Sequence, residues 1–153
     1  MAEKCRSIYQ LARIISGLTQ LEASERLHVN VRTLGKYESG EIIPNPDIVA
    51  NMVKVYGTPW LGYEHLRQSS ELGKRILPPI NIDDLAKSVL ILQKETADVE
   101  RIKNEIIQIA CDGLIEEHEK QSWEEVVKEV LEMAGAALSL VFINKKDLPA
   151  AHW

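Results

Sequence analysis

The stretch from Leu18 to Gly40, LTQLEASERLHVNVRTLGKYESG, constrains this chain more than any other. Thr19 is a good N-cap, and Glu22 stands three residues on, where a capping box wants a carboxylate. A short helix continues to Leu27. His28-Val29-Asn30 reads as a turn, and Asn30 is a good N-cap for a second helix over Val31–Ser39. Gly40 closes that helix at the usual C′ position. Two short helices across a tight turn make a helix-turn-helix.

The flanking sequence extends the helical pattern. Ser7–Ser16 is expected to be a helix with Ile8, Leu11, Ala12 and Ile15 packed inward, and Gly17 ends it. Ile42–Pro46 is an extended connector, because each proline pushes the preceding residue out of helix. Pro46 can start a fourth helix carrying Ile48, Val49, Met52, Val53 and Val55, with Gly57 as its stop. Thr58 is expected to N-cap a fifth helix, with Pro59 at its first position and Trp60, Leu61 and Leu66 on its apolar face. Residues 69–81 read as a linker, broken by Gly73 and Pro78-Pro79, though Glu71–Leu77 can hold a turn.

Beyond the linker the pattern changes to long helices. Asn81 is the expected N-cap, and Asp83 and Asp84 favour the positive helix end. Ile82, Leu85, Val89, Leu92, Thr96 and Val99 follow a spacing close to a heptad seam, extended by Ile102, Ile106 and Ile109. The spacing is unbroken, so one long helix is expected; a break near Glu95–Asp98 is the alternative. Asp112-Gly113 is a stop. A last helix over Ser122–Ile143 carries Trp123, Val126, Val127, Val130, Leu131, Ala134, Leu138 and Val141, a stripe too wide for a helix alone in water. Two such helices need the first domain or a second copy of the chain to cover them. A homodimer is the simpler supply, with Leu85, Val89, Leu92, Val126, Val130 and Leu138 as the expected interface.

Leu18-Thr19-Gln20, Leu27, Val29, Leu34 and Tyr37-Glu38-Ser39-Gly40, followed by Pro44, resemble the Cro/C1-type repressors of bacteria and phages, the XRE family. The resemblance covers roughly residues 6–68. It implies five short helices in this order, in a lambda-repressor-like DNA-binding domain. The expected architecture is therefore all-α. Residues 1–68 form the helix-turn-helix domain, 69–81 the linker and 82–153 a helical dimerisation region.

If the second motif helix enters the major groove, its first turn and next exposed turn face base edges. Those positions are Val31, Arg32, Thr33 and Lys36, and they match the base-contacting positions of the resembled family. Arg32 suits O6 and N7 of a guanine, Val31 or Thr33 a thymine methyl, and Lys36 a guanine or a phosphate. Thr19 and Gln20 at the helix start, with Ser39 and Gly40, are the phosphate-binding candidates. In the family, the residue at Gln20 also buttresses a base-reading side chain. Arg13 and Glu38 match an ion pair that links helix one to the recognition helix. Several departures bear on affinity. Ala23-Ser24 stands where the family usually has Leu-Ala, with Ser24 keeping the small side chain and Ala23 filling less core. His28 replaces the customary turn glycine, Gly35 lies inside the recognition helix at a cost of up to about 1 kcal/mol, and Glu41 stands where a cation is common.

The net charge is −5, which argues against a polycation that coats nucleic acid but leaves room for a local DNA-binding face. Basic and acidic residues nearly balance over residues 1–68, whereas Glu116–Glu119 and Glu124-Glu125 make the second half acidic. DNA contact therefore belongs to the first half. Cys5 and Cys111 lack metal-ligand spacing and suit reduced thiols. No signal peptide, membrane span, cofactor or metal is expected. Glu116-Glu117-His118-Glu119 lacks the His-Glu-x-x-His spacing, and Asp112-Gly113 lacks the other ligands of a calcium loop. Ala134-Gly135 sits in a helical pattern, so no self-cleavage is expected. Nothing assembles an active site. The expected protein is a cytoplasmic, sequence-specific DNA-binding transcriptional regulator, a bacterial or prophage repressor that binds double-stranded DNA as a homodimer. The alternatives are a protein-binding adaptor that keeps the fold without DNA binding, and a small-ligand sensor built on the C-terminal helices.

Overall fold

The computed structural model describes residues 7–82 and 84–143; Cys5 and Asp83 lie outside them. The described residues are helical with no strand, and they divide into two compact units between Leu77 and Pro78. No described helix is long and apolar enough to cross a membrane.

The first unit holds α1 (Ile8–Ile15), α2 (Gln20–Leu27), α3 (Val31–Ser39), α4 (Pro46–Tyr56), α5 (Pro59–Gln68) and α6 (Glu71–Ile76). Local chemistry sets the boundaries. The Ser7, Thr19, Asn30 and Asn45 side chains each accept a bond from a first-turn amide, and Gly40 and Gly57 end α3 and α4 in the left-handed region. Thr58 precedes α5 as expected, but its hydroxyl makes no capping bond and is buried without a partner.

Leu34, Met52 and Leu61 are fully buried and, with Ala12, Ala23, Leu27, Val49, Tyr56 and Trp60, form the core. α1 packs on α3, α4 and α5, and α2 packs on α3 and α4. The inward stripe of α1 is rotated from the expected one. Tyr9, Ala12 and Arg13 are buried, Ile8 and Leu11 are half-buried, and Ile15 is exposed. Arg13 turns inward to reach Glu38, which swings Ile14 and Ile15 outward. Leu66, expected on the buried face of α5, is 57% exposed. The segment read as a linker contains α6, capped by Ser70 and packed on α5. Arg67 Nε donates to the Leu77 carbonyl and fastens the end of α6 to α5.

The second unit pairs α7 (Leu85–Ile109) with α8 (Lys120–Phe142), joined by a turn with Gly113 at positive φ and one 3₁₀ turn over Glu117–Glu119. α7 is a single helix of 25 residues. Its N-cap is Asp84, not Asn81; the Asn81 amide donates instead to Ser139 Oγ near the far end of α8. The two helices therefore run antiparallel. Their contact keeps only part of the expected stripe, Ile109 with the half-buried Val99, Ile102 and Ile106. Ser88, Glu95 and Ile109 are the buried residues of α7, and Val126, Gly135, Ala136 and Ser139 those of α8. Leu85, Val89 and Thr96 stay exposed, with Leu92 half-buried. Small residues on α8 select this face. A Cβ at Gly135 would lie 2.7 Å from the Pro79 carbonyl oxygen, so the connector before α7 crosses α8 at a position that only glycine fits.

Candidate nucleic-acid interface

The α2-turn-α3 segment is built by short-range bonds. Thr19 Oγ1 accepts from the Glu22 amide, and the Thr19 amide donates back to Glu22 Oε2, completing the capping box. Those bonds hold the Glu22 carboxyl below its usual range. His28 adopts φ 55° and ψ 37°, the left-handed conformation expected at this turn. Its amide donates to Glu25, and the Val29 amide donates to Ser24, so the turn leaves α2 with bonded carbonyls. Asn30 Oδ1 then accepts from the Arg32 amide and starts α3.

The orientation of α3 rests on one buried network. Arg13 is 9% exposed and Glu38 3%. Arg13 Nε and Nη2 meet the two Glu38 oxygens at 2.6 and 3.0 Å, a bidentate pair, while Nη1 donates to the Leu18 carbonyl. Gln20 Nε2 donates to Glu38 Oε2 at 2.8 Å. One carboxylate of α3 thus holds α1, the α1–α2 connector and the start of α2. Two fixed oxygens and a planar guanidinium fix angle as well as distance. The Tyr56 hydroxyl is buried, and burial with the Glu38 charge pushes its pKa up to about 12.

Val31 and Arg32 are exposed, and Thr33 and Lys36 half-buried. Val31, Arg32 and Gly35 share one helical face, with Lys36 one residue on. Lys36 Nζ pairs with Glu41 Oε1 at 2.8 Å, a contact across the helix end that no standard helical spacing signals. Of the phosphate candidates, Thr19 is occupied in its capping box and Gln20 by Glu38. The Ser39 hydroxyl donates to the Lys36 carbonyl, and the Gly40 amide donates to Tyr37. The bond from Gln20 to Glu38 and the burial of Tyr56 beneath that carboxylate lie beyond the sequence reading, because residues 18 and more positions apart leave no spacing signature.

Two tightly joined helices, the second held at a fixed angle with an open, side-chain-bearing face, define a helix-turn-helix DNA-binding domain. Residues 10–62 match the family model described as helix-turn-helix, and this N-terminal domain is of the Cro/C1 type, the XRE family. At the level of that family it is a DNA-binding regulator domain. No curated protein and no solved structure matches the chain.

Proposed function

We propose that the protein is a sequence-specific transcriptional regulator that binds double-stranded operator DNA as a homodimer and inserts α3 into the major groove. The observation that carries this reading is the face of Val31 and Arg32 on a helix locked by Arg13, Glu38 and Gln20. Arg32 is the base-reading cation; Lys36 joins it once phosphate or base competes with Glu41. Repression is the simplest action, because occupying a promoter needs nothing beyond DNA binding. The resemblance supports reading it as a protein of the bacterial cytoplasm, encoded by a bacterial genome or a prophage, with no catalytic role.

The dimer is supported by what α7 and α8 leave uncovered. Leu85, Val89 and Leu90 on α7, and Val127, Val130, Leu131 and Val141 on α8, are exposed. A groove lined by Val89, Leu92, Gln93, Thr96, Ala97 and Glu100 runs along α7. Their spacing is that of a single helix face, suited to a partner helix. Two such hairpins would close a four-helix bundle. Val126 is buried within its own chain and adds nothing to that face.

Selection from random duplex DNA at moderate salt tests the reading. Enrichment of a palindrome is expected, lost with Arg32→Ala, since a good bidentate contact discriminates by about 1–3 kcal/mol. Folded protein that enriches nothing would favour the adaptor reading, for which the Lys36–Glu41 pair is the supporting observation.

A further inference from the structure

Glu95 of α7 is an anomaly in the helix pair. It is 7% exposed. Its Oε1 accepts from Lys94 Nζ at 2.9 Å, but its Oε2 is fully buried and accepts no hydrogen bond. A buried carboxylate oxygen without a donor is costly, and each such atom in a folded protein asks for a compensating partner. Further carboxylates gather beside Glu95. Glu129 and Glu132 of α8 bring carboxylate oxygens to the same point, so that one oxygen from each of the three residues lies within 4.8 Å of the others. Glu129 and Glu132 are three residues apart and so share a face of α8.

Two lysines border the group. Lys94 divides its ammonium between Glu95 and Asp98, and Lys128 lies 3.3 and 3.5 Å from Glu129 and Glu132. Both lysine side chains are about two-thirds exposed, at 65% and 64%. They neutralise the rim and leave Glu95 Oε2 unserved. Three carboxylates against two ammoniums still leave an excess negative charge.

We propose that Glu95, Glu129 and Glu132 form a site for a hard divalent cation that pins α7 to α8. The donor set is oxygen only, which selects Ca²⁺, Mg²⁺ or Mn²⁺ over zinc or copper. The three oxygens lie within 4.8 Å of one another, so small side-chain adjustments bring them into the first shell of one hard ion. One ligand comes from α7 and two from successive turns of α8. Water completes the shell on the exposed side, where Glu132 lies. A cation bound there needs no DNA on the first unit.

The test is calorimetric titration of the full chain with Mn²⁺ and, separately, Ca²⁺, joined to thermal melting. The expected result is one site, with Kd on the order of 10–100 μM, and a melting temperature several degrees higher at 1 mM ion. Glu132→Gln, on the exposed rim and so tolerant of folding, is expected to weaken binding at least tenfold, as is Glu95→Gln. Glu116→Gln with Glu117→Gln, in the exposed acidic run, leaves it unchanged. Absence of binding at 1 mM would overturn the proposal. So would binding that survives both Glu95→Gln and Glu132→Gln. A rise in stability for Glu95→Gln with no ion response in the parent would identify a repulsive charge cluster instead, and equally overturn it.

Discussion

At the residue scale, Glu38 decides how the recognition helix is held. Removing one partner of a buried pair strands the other, at a cost of about 3–5 kcal/mol. Glu38→Ala is therefore expected to lose about that much in urea unfolding, since the buried Arg13 loses its carboxylate partner and Gln20 loses its acceptor. The double variant Arg13→Met/Glu38→Leu is expected to regain much of the stability but to bind its selected operator less tightly. Equal operator affinity in a stable double variant would remove the orienting role. His65 adds a pH dependence. It is 4% exposed, shares a 2.9 Å hydrogen bond with the Tyr9 hydroxyl, and has its pKa lowered by burial. An unfolded histidine titrates near 6.5, so below that pH the unfolded chain binds the proton more readily. Stability from neutral His65 is full above pH ~6.5 and is lost as pH falls through the folded pKa. Melting temperatures of wild type and His65→Gln, followed from pH 7.5 downward, are expected to show a shallower fall in the variant. Parallel curves would exclude His65 as the source.

At the element scale, what the sequence revealed was local and what it concealed was relational. The Thr19–Glu22 box, the Asn30 and Asn45 caps and the left-handed His28, Gly40 and Gly57 each act within four residues, so their signals lie side by side in the chain. The face of α7 that meets α8 was legible only in part: Ile109, Val99, Ile102 and Ile106 lie in the expected stripe, whereas Ser88 and Glu95 do not. Periodicity marked the large apolar stripe, but Gly135, Ala136 and Ser139 allow the closest approach and bring Ser88 and Glu95 inward. Of the site, the exposed face of α3 followed from helix geometry, whereas the links from Glu38 to Gln20 and from Lys36 to Glu41 depend on tertiary placement. The sixth helix was hidden because Gly73 reads as a breaker. Its lack of a side chain is instead what lets α6 dock. A Cβ there would fall within the Leu66 carbonyl oxygen and 2.9 Å from that of Arg67. Gly73→Ala is expected to cost about 1–3 kcal/mol, the range for overpacking. Faster hydrogen exchange confined to α5 and α6 would locate the loss, and unchanged exchange would refute this account of Gly73.

At the scale of the whole molecule, affinity for DNA has to come from number as well as contact. Glu41 neutralises Lys36, and acids nearly match bases in the first half of the chain. Since phosphate neutralisation supplies much of protein–DNA affinity, a single domain of this charge is a weak binder. Two recognition helices set about 34–36 Å apart would engage successive major grooves on one side of the duplex, and the second contact would become intramolecular. Joining two binding events in this way raises apparent affinity by roughly 10²–10⁴-fold without a new contact. Val130, 38% exposed on α8, lies on the face proposed for that join. Val130→Asp buries a charge in the dimer but exposes it harmlessly in the monomer. Sedimentation is expected to show a monomer of unchanged helix content, with operator affinity reduced by at least 10²-fold and the loss recovered on fusing the chain to an unrelated dimeric coiled coil. If Val130→Asp leaves a dimer, the joining surface is not this face of α8. If it gives a monomer that binds the operator as tightly as before, one α3 carries the affinity alone, and the symmetry of the selected site must have another cause.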